Sequence, residues 1–219
     1  MQIILFLYFH FCIFVHKHNK MNFSSLDLQK TYTYADYLTW QFKERIELFK
    51  GRISKMSPAP SSSHQGVISN LLYDFLSLVR NKKSKHNCKI FTAPFDVRLP
   101  LYDKIQNKEI TTVVQPDIVV VCDKDKIDER GCLGAPDLVV EVLSKSTAKK
   151  DVDTKFHLYE EAGVKEYWIV SPGEHVVTTW KLGENNKFTD AKMYSEENTI
   201  YSNIIEGLEI NLKDVFDLS

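Results

Sequence analysis

The chain has 219 residues, of which 43% are hydrophobic and 26% are charged, and its formal net charge is -1. This length and composition predict one domain with a full hydrophobic core and exclude wholesale disorder. The near-neutral charge disfavours a protein that binds nucleic acid through a broad basic surface. It is compatible with an enzyme in which the charge of metal-binding carboxylates balances the charge of the lysines.

The cysteines do not follow the spacing of a metal site or a disulfide framework. Cys12, Cys88, Cys122 and Cys132 form no CxxC pair and no Cys/His motif. We therefore expect reduced thiols and a cytoplasmic protein.

The first twenty residues differ in composition from the rest. Residues 3–15 are apolar and aromatic apart from His10, and a basic segment follows them. The stretch lacks the start and cleavage site of a signal peptide, and it is shorter than the roughly 20 apolar residues of a membrane span. We expect Met21 to be the physiological start, residues 1–20 to be upstream translated sequence, and no stable membrane association. A short membrane anchor is the alternative.

The first half of the remaining chain predicts a helix, a hairpin and a longer helix. Thr33 is a candidate N-cap of a short helix. Residues 45–56 alternate between apolar and polar on both sides of Lys50, which is typical of a β-hairpin. Apolar residues in the segment 67–79 recur at spacings of one, three and four, which predicts a long amphipathic helix capped by residues 61–63.

The second half predicts strands interrupted by one helix. Segments 113–121 and 138–143 are dense in valine and leucine, which indicates central strands buried on both faces. Residues 147–162 predict a helix that Gly163 ends. The other predicted strands are 89–91, 95–99, 165–170, 176–182 and segments near Met193 and Ile200. This order predicts one mixed α/β domain, residues 33–216, with a central β-sheet flanked by helices.

Two acidic residues lie within the most apolar segments. Asp117 is followed by four β-branched residues, and Glu141 lies between valines. A buried carboxylate is costly unless it is paired or binds a cation, so two of them suggest a shared ligand. Mg²⁺ is the natural candidate, and it would place the two carboxyl groups within about 6 Å of each other. The alternative is that each carboxylate faces solvent from a half-exposed strand.

A lysine follows at helical spacing. Asp151, Lys155 and Tyr159 are four residues apart and share one helix face. Lys155 could reach the carboxylates and stabilise negative charge on a phosphate, and its removal is expected to leave the fold intact. The alternative is an ordinary ion pair with Asp151 on a solvated face, with Tyr159 contributing only to packing.

The order of these motifs resembles the Uma-two family of restriction endonucleases, within the PD-(D/E)xK nuclease superfamily. The resemblance rests on Gln-Pro-Asp117, Ala-Pro-Asp137-Leu-Val-Val-Glu141, Lys155 and Ala-Gly-Val-Lys-Glu-Tyr-Trp-Ile-Val170. It implies a restriction-endonuclease-like core, in which a mixed sheet has helices on both faces and a metal site in a cleft.

The resemblance also implies roles for individual residues. Asp117 matches the first acid of the motif and Glu141 matches the second. Leu143 occupies the position of the superfamily's usual lysine, so Lys155 is the expected replacement. The implied metal is Mg²⁺, with Mn²⁺ as a substitute, held by Asp117, Glu141 and the backbone carbonyl of Val142.

Three further residues have open interpretations. Glu47 could supply another carboxylate or be an exposed strand residue beside Arg45. His64 could hydrogen-bond a phosphate or an active-site acid, or it could cap a helix or be exposed. Asp137 is better interpreted as a turn residue than as a ligand.

The resemblance implies metal-dependent hydrolysis of phosphodiester bonds in nucleic acid, DNA in the first place, and it is compatible with a homodimer. The alternative is a non-catalytic protein that binds nucleic acid or another partner and keeps the nuclease fold, because fold does not imply function.

Overall fold

A computed structural model describes most of the chain after the expected N-terminal extension. The described residues are 23–56, 61–81, 87–101, 104–144 and 148–219, with the side chains of 148–151 outside the description. The expectations for residues 1–20 and for the side chain of Asp151 therefore lie outside the described residues. Within the ranges described, no helix combines the length and apolar character that a membrane crossing requires.

Helices and strands follow one another in a mixed order. The helices of the described residues are α1 (Tyr34–Tyr37), α2 (Ser62–Val79), α3 (Ala148–Ala162) and α4 (Leu212–Phe216). The strands are β1 (Ile46–Phe49), β2 (Arg52–Lys55), β3 (Lys89–Thr92), β4 (Val97–Arg98), β5 (Val113–Val114), β6 (Ile118–Val121), β7 (Ile127–Asp128), β8 (Gly131–Leu133), β9 (Leu138–Val142), β10 (Glu166–Ser171), β11 (Val176–Leu182), β12 (Phe188–Ser195), β13 (Thr199–Tyr201) and β14 (Glu209–Asn211).

The strands form two larger sheets and a small hairpin. The central sheet has the order β12-β11-β10-β9-β6-β3, and the second sheet has the order β2-β1-β5-β4-β8-β7. In the central sheet β9 and β10 are parallel, while its other neighbours are antiparallel. The predicted mixed α/β fold is confirmed.

Helices cover the two faces of the central sheet. Val140 and Val142 of β9 pack with Leu71 of α2 in one apolar cluster. Val139 of the same strand packs with Tyr159 of α3 in another. Successive side chains of a strand point to opposite faces, so an unbroken valine run supplies two cores. Glu141 shares the face of Val139 and is therefore directed toward α3.

The local signals at the start of the domain are confirmed. Thr33 caps α1 and forms a capping box with Asp36, and Ser61 caps α2. The β1–β2 hairpin turns at Lys50 and Gly51, which have φ angles of 51° and 82°. A Cβ at Gly51 would lie 2.3 Å from the Thr31 side chain, so both backbone conformation and space favour glycine here.

The expectation of one continuous strand over 113–121 was wrong. β5 pairs with β1 and β4 in the second sheet, whereas β6 pairs with β3 and β9 in the central sheet. Pro116 lies between them, and proline has no backbone N–H to donate to a ladder. The chain therefore changes sheets just before Asp117, which precedes β6 instead of lying within a strand.

Three short elements were missed by the sequence patterns. Residues 127–133 form the β7–β8 hairpin, and residues 212–216, where the last predicted strand ends, form α4. Helix α4 is held by its buried residues Leu212, Val215 and Phe216 in the cluster that includes α2.

The expectation of reduced cysteines was wrong for one pair. Cys88 and Cys122 form a disulfide. The register that pairs Lys89 with Val121 places these cysteines opposite each other at the ends of β3 and β6. Cys132 is free and buried, and Cys12 lies outside the described residues.

Asp137 has a structural role, and its replacement gives a first prediction. One oxygen accepts a hydrogen bond from Cys122 N–H at 2.7 Å, and the other accepts one from Lys165 Nζ at 2.6 Å. Burial alone would raise the pKa of Asp137, but these hydrogen bonds outweigh burial and lower it. We expect Asp137→Asn to reduce the free energy of unfolding by about 1–3 kcal/mol at neutral pH.

The pH dependence of that difference has a definite sign. A carboxyl with a lowered folded-state pKa stabilises the fold above its unfolded pKa of about 3.9 and loses that contribution as pH falls through the folded value. The parent and the variant should therefore converge in urea unfolding as the pH is lowered past about 4. Glu161→Gln, which removes an exposed ion pair with Lys50, is the control and should change little. Equal stabilities of parent and Asp137→Asn at pH 7 would contradict the prediction.

Candidate active site

A cleft of about 890 Å³ opens where the β1–β2 hairpin approaches the start of α2 and the ends of β6 and β9. The residues that the motifs singled out all line it: Glu47, His64, Asp117, Glu141, Val142 and Lys155. They come from both sheets and from two helices, so the site exists only in the folded domain.

The two acids of the motif meet at one position of the central sheet. Strand β6 runs antiparallel to β9 with Ile118 opposite Val140. Asp117, one residue before Ile118, therefore lies beside Glu141, one residue after Val140. The Val142 N–H donates to Asp117 Oδ2 at 2.8 Å, which fixes the aspartate against the end of β9.

Glu141 is held from α3. Its Oε1 accepts a hydrogen bond from Lys155 Nζ at 3.0 Å and another from Tyr159 OH at 2.6 Å. Lys155 and Tyr159 are one helical turn apart and thus reach the same oxygen. The described contacts make Lys155 a partner of Glu141, and Tyr159 both packs in the core and orients this carboxylate.

Glu47 completes a buried arrangement around the lysine. Its Oε1 lies 3.0 Å from Lys155 Nζ and accepts a hydrogen bond from Gln115 N–H at 2.8 Å. Glu47 is only 4% exposed and Lys155 only 7%, so the interpretation of Glu47 as an exposed strand residue was wrong. The Lys155 ammonium thus bridges a carboxylate from each sheet.

The charges of this cluster affect one another strongly. Burial, followed by the charges of Asp117 and Glu47, raises the pKa of Glu141 to about 7, although Lys155 opposes the rise. Burial would lower the pKa of Lys155, but the charges of Glu141 and Glu47 outweigh burial and raise it. The lysine therefore stays protonated, and the carboxylates remain in excess over it.

His64 approaches the same site from the first turn of α2. Its Nε2 lies 3.5 Å from Asp117 Oδ2. Burial would lower the pKa of His64, but the hydrogen bond and charge of Asp117 raise it above its ordinary value. The residue is buried and the helix is capped by Ser61, so His64 is neither an exposed histidine nor the cap.

Two side chains of the cleft were not predicted as site residues from the sequence. The Gln115 backbone N–H donates to Glu47, and the Gln115 side-chain oxygen accepts from Arg45. Gln115 and Arg45 both line the cleft. Each had a weak sequence signal. Gln115 is part of the Gln-Pro-Asp117 motif. Arg45 precedes Glu47 by two residues, so the side chains of Arg45 and Glu47 point to the same face of the extended chain.

The site has donors suited to a hard divalent cation. Among the described residues, no three His, Cys, Asp or Glu side chains form a ready cage for a metal ion. Mg²⁺ does not require such a cage, because it binds through one or two carboxylates with water and substrate phosphate completing its shell. Three carboxyl groups, Glu47, Asp117 and Glu141, lie around a single lysine, and a bound divalent cation would favour the ionised form of Glu141. Asp117 and Glu141 with the Val142 carbonyl therefore fit Mg²⁺ in donor type and charge.

Comparisons with known proteins identify a family and a fold. The family model described as Uma2, putative restriction endonuclease, matches residues 34–213. The uncharacterized protein slr1290 of Synechocystis sp. is 32% identical over 139 residues, which span 62% of this chain and 66% of the length of that protein. The crystal structure of a putative nuclease belonging to DUF820 from Anabaena variabilis matches with a TM-score of 0.63 and 18% identity, over 84% of this chain and 97% of that chain. At that identity the structural likeness shows the fold.

Proposed function

The chain belongs to the Uma2 family of putative restriction endonucleases, and we propose that it is a Mg²⁺-dependent nuclease that hydrolyses phosphodiester bonds in nucleic acid, DNA in the first place. The observation that carries this proposal is the buried Lys155 ammonium, 3.0 Å from both Glu47 and Glu141, in the cleft that Asp117 also lines. An excess of carboxylates beside a fixed cation is suited to holding a metal ion against a phosphate.

Each residue has a part in the proposal. Asp117, Glu141 and the Val142 carbonyl would hold Mg²⁺, with Mn²⁺ as a substitute. When bound, the ion supplies positive charge that stabilises the phosphate in the transition state. Lys155 keeps a second positive charge fixed beside the carboxylates, where it can stabilise negative charge developing on the substrate.

Two residues support this arrangement. Tyr159 fixes the orientation of Glu141 by donating to its Oε1. His64 places a polar ring against Asp117 and so restrains the aspartate between α2 and β9. A homodimer and a cytoplasmic location stay predictions.

The test is cleavage by the full chain. Supercoiled plasmid, single-stranded DNA and RNA are each incubated with Mg²⁺, Mn²⁺ or EDTA. We expect strand breaks with either metal ion and none with EDTA. A variant Glu141→Gln purified in parallel excludes a contaminating nuclease.

The alternative function predicts a different pattern. A non-catalytic protein would bind nucleic acid and leave every substrate intact with both metals. That outcome would contradict the proposed activity.

A further inference from the structure

Arg45 is held in the cleft in an unusual way for an exposed arginine. It directly precedes β1, and its carbonyl accepts from Met56 N–H at 3.0 Å, so it continues the β1–β2 hairpin. Its Nε and Nη2 both donate to Gln115 Oε1, at 3.3 Å and 2.9 Å. One edge of the guanidinium is thereby fixed, although the residue as a whole is exposed and lines the cleft.

The group that holds Arg45 is itself anchored. Gln115 is only 8% exposed, and its Nε2 donates to Asp96 Oδ1 at 2.8 Å and to Tyr37 OH at 3.2 Å. Because Asp96 can only accept when ionised, the Gln115 amide must direct its nitrogen to Asp96 and its oxygen to Arg45. The orientation of the guanidinium is therefore set by a buried network before any ligand arrives.

The side chain that contacts the guanidinium is a neutral amide, and not an acid. Across the described ranges, no carboxylate lies within 4.0 Å of the Arg45 guanidinium. An arginine in a structural ion pair would instead face an acid. A preoriented guanidinium without an acid partner is suited to a phosphate, which it can contact through parallel N–H donors.

We propose that Arg45 binds a backbone phosphate of the nucleic-acid substrate, beside the phosphate at the carboxylates. This inference rests on the proposed function, because it takes nucleic acid as the ligand of the cleft. Arg45 and Glu47 are two residues apart on one strand face, which separates them by about 6.6 Å along the strand. Arg45 therefore contacts a neighbouring phosphate and positions the substrate, while Lys155 lies at the carboxylates.

The hairpin supplies a matched control. Arg52 lies on β2 of the same hairpin, is exposed, and donates to the Gln29 carbonyl outside the cleft. Arg52→Gln makes the same chemical change as Arg45→Gln on the other strand of the hairpin, next to the turn. Arg45→Lys keeps the charge but removes the planar fork.

The experiment measures binding and cleavage by the full chain separately. Binding of a fluorescein-labelled DNA duplex is followed by anisotropy in Ca²⁺ over a range of salt concentrations, and a gel checks that the DNA stays intact. Single-turnover cleavage is then measured with Mg²⁺ at saturating protein. We expect Arg45→Gln to weaken binding about tenfold and to reduce the salt slope by about 0.9, with little change in the saturating rate. Arg45→Lys should keep the slope and lose part of the affinity, and Arg52→Gln should match the parent.

The outcomes separate the two proposals. If Arg45→Gln binds with the parent's affinity and salt slope, or if the parent does not bind the duplex, the role of Arg45 is overturned, whatever the cleavage assay shows. If the parent binds through Arg45 but cuts no substrate with Mg²⁺ or Mn²⁺, the nuclease activity is overturned and the phosphate contact stands.

Discussion

Glu141→Gln should reduce single-turnover cleavage by about 10³-fold or more while the protein keeps its fold. Glu141 is one of the two carboxylates proposed to hold the metal ion, and a neutral amide is a far weaker ligand for Mg²⁺. The amide has nearly the same shape, and its oxygen can still accept from Lys155 and Tyr159. Lys155 also keeps Glu47 as a charged partner. The melting temperature should therefore stay close to that of the parent.

The control is the same substitution at a glutamate of α3 that lies outside the cleft. Glu160 accepts hydrogen bonds from Lys187 Nζ and Phe188 N–H and does not line the cleft. Glu160→Gln should cleave at the parental rate. Cleavage by Glu141→Gln within tenfold of the parent would show that Glu141 is not a metal ligand. Loss of activity in both variants would point to a general effect on the fold.

The sequence was sufficient to predict the parts of the site that depend on local spacing. The four-residue spacing of Lys155 and Tyr159 places both on one helix face, and in the structure both reach one oxygen of Glu141. The valine-rich surroundings of Glu141 predict a buried strand, and burial is what makes its carboxylate costly without partners. These properties follow from helix and strand periodicity alone.

Contacts between the sheets could not be derived in that way. Glu47 and Lys155 are 3.0 Å apart because the β1–β2 hairpin of one sheet meets a helix that covers the other. The chain changes sheets at Pro116, so β5 and β6 belong to different sheets although the apolar pattern continues from one to the other. Whether Glu47 is buried or exposed depends on how the second sheet packs against the central sheet and α3. The local sequence around Glu47 does not determine that packing.

Lys155→Met should slow cleavage by roughly 10²–10³-fold, and the structure adds a loss of stability that spacing alone did not predict. The side chain is 7% exposed and its ammonium contacts both Glu47 and Glu141. Its removal leaves two buried carboxylates without a cation, which typically destabilises a fold by about 3–5 kcal/mol. Urea unfolding measures this loss, and cleavage is compared at a temperature and pH where circular dichroism shows the variant to be folded.

A second substitution tests the cause of that instability. If Lys155→Met is unstable because its acids are uncompensated, adding Glu141→Gln should recover part of the lost free energy of unfolding, about 1–3 kcal/mol in a double-mutant cycle. Lys187→Met removes an exposed lysine that pairs with Glu160, and it should change stability by less than about 1 kcal/mol and leave cleavage intact. A Lys155→Met variant as stable as the parent would contradict the buried bridge. One that cuts at the parental rate would exclude Lys155 from the chemistry and reduce the bridge to a structural contact between the two sheets.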